Sequence, residues 1–443
     1  MTLIVMLHVG LIWAAVVWAY RVAARRDGRA PADDIGILWL GVFALYATLP
    51  PVSWLLQGST YGPLSGRLYQ LQPSSQDVRY LLSIALAYVV GFVSVYLILL
   101  RRVSAPVASA QAPIGASKVA GAIVIVLAAF AVGLVLRMMG VIRPAESYVD
   151  SYKVIYDLPV GLRQLLKMVS GFSGVATLVI VVGVLQRWPR YRWAFILYLL
   201  SIAVAVNPEG GRGAVVAALL GAVIGWHVLV RPIPSKRLLV GGAFGLLVFL
   251  LVGVWRGFGS LTSVGDLGLE GVGVGEFDAL WANAVELWQA KQRGGLSVPF
   301  GVRFEELFAF VPRQLLWFDK QSLSGWYLDT LHPAYKDIGG GWVFGAISQA
   351  VVGGGVFEAL IRGAVLGVVA GWIMKWIRTP TSAWWRFPLH LYLLVGVFAG
   401  VRDTTFVQWG DVVQTWLPVP IVIAACGSLL TVAQSRHHQL RSG

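Results

Sequence analysis

What this sequence has least of is charge. Asp, Glu, Lys and Arg make up 13% of its 443 residues, about half the roughly 25% of soluble domains, and the mean hydropathy is +0.73. Such a chain cannot coat a globular core with a water-facing surface. Acids are scarcer than bases, 21 against 35, for a net charge of +14. A basic balance can signal nucleic acid, but here the cations are scattered between apolar runs rather than clustered on one soluble face, so no nucleic-acid partner is expected. There is one cysteine, Cys426, in the last apolar run, which excludes a disulfide framework and a cysteine-based metal centre. No His or carboxylate pair has the spacing of a ligand motif such as HExxH, and neither GxxxxGK[ST] nor GxGxxG after a strand occurs. No metal, no cofactor and no ATP-driven step are expected.

What is present is a series of apolar runs of roughly 17 to 22 residues, the length that crosses a hydrocarbon core of about 30 Å. They fall near residues 2–20, 36–56, 80–100, 119–138, 168–186, 193–206, 214–230, 238–254, 355–376, 388–401 and 412–432. The first has no basic segment before it and no small-residue cleavage site after it, so it reads as a retained helix. The pattern predicts an all-α polytopic membrane protein with about eleven transmembrane helices, an outside N-terminus and an inside C-terminus. Eleven spans place 18 cations and 3 anions (Asp27, Asp33, Asp34) on one side, and 16 cations and 17 anions on the other. The positive-inside rule assigns the first side to the cytoplasm. Glu358 and Arg362 remain within a predicted helix, at the i,i+4 spacing of mutual neutralisation.

The chain divides into 1–254 with eight helices, a large extracytoplasmic loop at 255–341, and 342–443 with a Gly-rich re-entry and three more helices. Long ordered loops carry function more often than connectors do. In the large loop, Phe277, Leu280, Trp281, Ala284, Leu287 and Trp288 recur at helical spacing, while Asp278, Glu286 and Gln289 fall mostly elsewhere. That describes an amphipathic helix on the membrane surface or over a cavity; a second runs from about 303 to 311.

Candidate site residues concentrate on the outer side. Arg137, Arg143, Arg212, Arg256, Arg313 and Arg402 sit in outer loops or at outer helix ends, where arginine either anchors lipid headgroups or binds a ligand anion. Arg212 lies in Asn207-Pro-Glu-Gly-Gly-Arg-Gly213, where glycines admit close backbone approach and an opening helix presents free N–H groups. A tight hairpin is the other reading of that segment. Arg313 and Lys320 follow a proline break beside Trp317 and Phe318, rings that stack on a sugar or rest among headgroups. His332 is the only histidine in the outer loops; it is either structural or suited to proton transfer near neutrality.

The Gly-Arg-Gly at the mouth of a mid-chain helix, the late outer loop with Pro312-Arg313, Trp317 and Lys320, and the glycines at 339–345 and 353–355 together resemble the bacterial O-antigen polymerase (Wzy-type) family. The likeness is architectural over nearly the whole chain and motif-level over about 207–213 and 305–360. The segment Trp317-Phe-Asp-Lys-Gln321 lacks the two prolines usual there, and Gln349 stands where related chains often carry an acid. The resemblance implies a GT-C-like, metal-independent, inverting glycosyltransferase at the outer face of the bacterial inner membrane. Its donor and acceptor would be undecaprenyl-pyrophosphate-linked oligosaccharides, with a chain-length regulator as a further partner. Arg143, Arg212, Arg256, Arg313, Lys320 and Arg402 would bind the pyrophosphate, and Glu209 and His332 are the candidate bases. There are three rivals: an O-antigen ligase on the same architecture; from a different class, a flippase or transporter whose arginines line a path, against which the large asymmetric outer loop argues; and a structural membrane subunit whose aromatic loop docks a partner.

Overall fold

The computed structural model describes residues 2–56, 73–101, 112–141, 158–187, 212–245, 275–308, 311, 315–318, 321–333, 344–380, 382–405 and 412–442. Among them there is no strand. The helices are α1 (Thr2–Asp27), α2 (Ile35–Leu56), α3 (Ser75–Leu100), α4 (Ala116–Met138), α5 (Val160–Arg187) and α6 (Arg212–Leu229), then α7 (235–245). They continue with α8 (Gly275–Gln292), α9 (Phe300–Arg303), α10 (Leu323–Leu331), α11 (Ala346–Val352), α12 (Val356–Arg378), α13 (Arg386–Arg402) and α14 (Pro418–Ser442).

Six of these, α1 to α5 and α12, are long and apolar enough to cross a membrane, and the chain is an α-helical multi-pass membrane protein. Of the other expected spans, 214–230 and 412–432 hold the shorter apolar helices Leu220–Leu229 and Pro418–Leu429, 388–401 is helical, 193–206 lies outside the described residues and 238–254 mostly does.

Local chemistry sets the ends. Ser74 and Asp77 form a reciprocal capping box at the start of α3, Asp77 N–H donating to Ser74 Oγ (3.2 Å) and Ser74 N–H to Asp77 Oδ2 (2.8 Å). α11 and α12 each begin just after a glycine at positive φ, Gly345 (86°) and Gly355 (62°), a conformation that side chains with a Cβ resist.

The most extensive pairing joins α3 and α12. A Cβ on Gly91 would strike the Leu360 carbonyl, and one on Gly363 or Gly367 the backbone of Tyr88 or Phe92. Small residues four apart let two membrane helices approach backbone to backbone. Gly121 and Gly427 serve the α4–α14 contact in the same way. α1 rests on α2 and α3, and α13 lies against α2, α5 and α6.

α8, whose pattern allows a place on the membrane surface or over a cavity, has its apolar positions covered by protein. It packs into the bundle against α2, α3 and α11, with Trp281, Ala284, Val285 and Leu287 buried. Trp281 Nε1 donates to the Tyr46 carbonyl (3.1 Å), and Trp288 stacks on Tyr80 with ring centres 3.8 Å apart. The polar positions do not need water because protein meets them: Gln289 Nε2 donates to Asp77 Oδ2 (3.1 Å), and Lys291 Nζ to the carbonyls of Val351 (2.8 Å) and Gly353 (2.6 Å).

Candidate active site

The bundle has two polar ends. One, the Asp27 end, gathers the end of α1, residues 28–34 and the end of α12. Arg378 grips Asp27 with two bonds of 2.8 and 2.6 Å, Arg29 pairs with Asp33 at 3.0 Å, and Asp34 accepts from the Tyr96 hydroxyl and from Gly36 and Ile37 N–H. The other, the Asp77 end, is built largely from segments 275–332 and 344–358.

At the Asp77 end Glu286 of α8 meets two side chains from α10 and its cap. Its Oε2 accepts from the Tyr327 hydroxyl and lies 2.9 Å from His332 Nε2. His332 caps the C-terminus of α10, its backbone N–H donating to the Leu328 carbonyl at 2.9 Å. α10 is itself held at its start: Ser322 Oγ accepts from Gly325 N–H (3.0 Å), and Glu305 accepts from Leu323 N–H (2.9 Å).

Beside this pair runs an ion network in which Arg362 and Glu306 are buried. Glu358 accepts from Arg362 Nε (2.7 Å), from Arg303 (2.8 Å) and from Gly354 N–H (2.6 Å). Arg362 turns its second nitrogen to Glu306, so two cations and two anions balance where an unpaired charge would be costly. Lys291 stands next to it. Burial first, and then the nearby Arg303 cation, hold its pKa below the ordinary lysine value, with Glu358 opposing.

A third element is apolar. A cavity of about 320 Å³ lies among α2, α3, α12 and α13, walled by Trp39, Phe92, Trp376, Trp385 and Leu393 and reaching Thr405. Trp376 and Trp385 mark its Asp27-end limit, and Thr405 its other. Thr405 bonds to the Tyr88 hydroxyl (2.6 Å) and donates to Gln349 Oε1 through its N–H (3.1 Å) and hydroxyl (2.8 Å). Gln349 belongs to α11, which packs on α8, so one short helix joins the cavity's polar limit to the Glu286–His332 pair. The buried Gln349 amide nitrogen has no hydrogen-bond partner among the described residues.

Of the residues singled out from sequence, His332 is at this site. Arg402 ends α13 three residues before Thr405 and is half-buried. Arg212 opens α6, with its side chain outside the described set. His227, near the other terminus of α6, donates through Nε2 to the Ala30 carbonyl of the Asp27 end (3.0 Å). At 1.5 Å per residue that puts the Arg212 backbone roughly 22 Å away, toward the Asp77 end. Glu209, Arg143, Arg256, Arg313 and Lys320 lie outside the described residues.

Sequence reasoning missed Glu286 as more than a polar helix position, and missed Arg303 and Glu306 altogether. The signal available was an acid within otherwise apolar segments of a charge-poor chain. Among the described residues no group of three or more His, Cys, Asp or Glu is placed to hold a metal ion. Comparison of the chain with family models, curated proteins and solved structures finds no match.

Proposed function

We propose that the chain polymerises undecaprenyl-pyrophosphate-linked oligosaccharide repeat units by inverting glycosyl transfer, at the outer face of the bacterial inner membrane. The observation that carries this reading is that α11 bonds through Gln349 to Thr405, which lines an apolar cavity among the helices, and packs on α8, whose Glu286 is paired with His332. A lipid-linked sugar needs both: apolar surface for the hydrocarbon tail and polar chemistry for the head. The charge segregation of the sequence assigns the Asp27 end to the cytoplasm and the Asp77 end to the outer face.

In the proposed reaction His332 takes the proton of the acceptor sugar hydroxyl, whose oxygen attacks the anomeric carbon of the growing chain. The bond from that carbon to the pyrophosphate breaks, and its electrons leave with the lipid pyrophosphate. Arg402 and Arg212 are the cations that meet the growing negative charge, with Arg143, Arg256, Arg313 and Lys320 as further members and Glu209 as a second candidate base. The Gln349 amide is a neutral donor for the same oxygens.

Purified protein in nanodiscs, supplied with the lipid-linked repeat, should yield a ladder of polymer on a gel. A preorganised donor aimed at developing charge contributes a factor of about 100 to 1,000. Arg402→Ala and Arg212→Ala should therefore shorten the product to one or a few repeats, and lysine at either position should restore length only in part. Transfer to lipid A core without extension would instead assign a ligase, and movement of the intact lipid-linked repeat across the bilayer a flippase.

A further inference from the structure

We propose that Glu286 is a positioning residue that fixes His332 in one tautomer, with the proton on Nε2 and Nδ1 as the nitrogen that accepts a proton. This deepens the glycosyl-transfer reading and rests on it for its catalytic meaning, while the tautomer itself rests on the geometry.

A neutral imidazole donates through one nitrogen and accepts through the other, and the partner of the first decides which is which. The partner here is a carboxylate oxygen, which can only accept, 2.9 Å from Nε2. The same oxygen takes the Tyr327 hydroxyl, a second donor that holds the carboxylate in place. Three further restraints hold the ring: the backbone cap on Leu328, the Tyr327 ring with its centre 5.4 Å away, and the confinement of both partners, whose side chains are 12% and 19% exposed. Glu286 cannot swing away, since Trp281, Val285 and Leu287 lock α8 into the core and Lys291 ties its end to α11.

The consequence for a hydroxyl nucleophile is direct. Its proton passes to Nδ1, the ring becomes an imidazolium paired with the Glu286 carboxylate, and the proton leaves to water when the product departs. A base already in the right tautomer and orientation need not reorganise during the reaction.

The test uses the full-length protein in nanodiscs and two readouts. Nitrogen NMR of protein labelled only at histidine is sparse enough to read, with six histidines in the chain, and His332→Ala assigns the signal. Wild type should show Nε2 protonated and Nδ1 unprotonated, and Glu286→Gln should mix the two tautomers. A proton on Nδ1 in the wild type, or the same tautomer in wild type and variant, overturns the proposal. In the polymer assay Glu286→Gln should lower kcat about 10- to 100-fold, the range seen when a partner that orients a metal-bound histidine is removed, with KM nearly unchanged. Added to His332→Ala it should cost nothing more, because residues acting as a unit are not additive; an equal further loss would mean that Glu286 acts apart from His332. If wild-type protein fails to extend lipid-linked repeats, the glycosyl-transfer reading falls, and the NMR arm still decides whether Glu286 sets the ring.

Discussion

Among the described residues every ionised partner at the Asp27 end comes from a helix terminus or from the seven residues between α1 and α2, whereas at the Asp77 end Glu286, Arg303, Glu306 and His332, from segments between α7 and α11, stand with Glu358 and Arg362 of α12. Asp27, Arg378, Arg29 and Asp33 close on one another over the ends of α1 and α12, and the buried histidines His227 and His390 fasten the 28–34 connection through the Ala30 and Asp33 carbonyls. That arrangement seals. At the Asp77 end, Arg303 and Glu306 reach Glu358 and Arg362, and Glu286 reaches His332. Ions from many segments can surround a substrate, while ions from adjacent helix ends can only hold those ends together. The proposed function takes place at the Asp77 end, while the ions of the Asp27 end tie helix termini together.

Breaking one pair at each end should separate the two roles. Asp27→Asn leaves Arg378, whose side chain is 3% exposed, without its bidentate partner, and stranding a buried charge in this way costs about 3–5 kcal/mol. Glu306→Gln leaves Arg362 with Glu358, so the loss should be that of one charge-assisted bond, about 1.5–3 kcal/mol. Thermal unfolding in detergent, followed by size-exclusion chromatography, measures both. Polymer length should move the other way: at a temperature where both variants are folded, Glu306→Gln should shorten product more than Asp27→Asn. Reversal of the stability order would mean that the Asp27 end is not the seal.

The frame that holds these ends apart is the α3–α12 crossing. Gly363→Ala would drive a methyl into the Tyr88 backbone, and overpacking of this kind costs about 1–3 kcal/mol. Because Tyr88 also bonds Thr405, the same change should reduce activity beyond its effect on stability. Gly133 in α4 has nothing within 4 Å of a would-be Cβ, so Gly133→Ala should be neutral or gain up to about 1 kcal/mol from helix propensity. Equal melting temperatures for the two alanine variants would show that α3 and α12 do not depend on the close approach.

Much of the frame is legible from sequence because hydropathy alone dictates it: α2 begins one residue before the run read at 36–56, and α4 and α12 begin and end within three residues of theirs. The Glu358–Arg362 pair is legible too, since i,i+4 neighbours on a helix meet whatever the fold does. The third and fourth partners, Arg303 and Glu306, are not, because they arrive from more than fifty residues away. α8 is legible only in part for a related reason. Its polar positions imply water on one side, and only the fold supplies Asp77, Tyr327, His332 and two carbonyls in water's place. Gln349, read as a departure from an acidic position, turns out to organise Thr405, which an acceptor oxygen of either residue type could do.

The smallest expected effect concerns Asp34, which is fully buried at the Asp27 end. Burial raises its pKa above the ordinary aspartate value, and the Tyr96 hydroxyl bond and the Arg26 charge only partly offset that. Between the ordinary and the raised value the folded protein therefore holds a proton that the unfolded chain has released. Stability falls with rising pH wherever the folded state binds more protons, so this contribution is full below the ordinary value and is lost as pH climbs through the raised one. Asp34→Asn keeps an oxygen to accept from Gly36, Ile37 and Tyr96 and gives up only a 3.7 Å pairing with Arg26. Near neutrality it should lie within about 1 kcal/mol of wild type, since replacing a buried charge by a neutral group that keeps its hydrogen bonds is often close to neutral in stability. Melting temperatures taken from about pH 4 to pH 7 should converge at the acid limit, and the wild type should fall relative to Asp34→Asn as pH rises. Two curves that stay parallel over that range would mean that Asp34 remains charged throughout, and that the sealing end is held by an ion pair there as well.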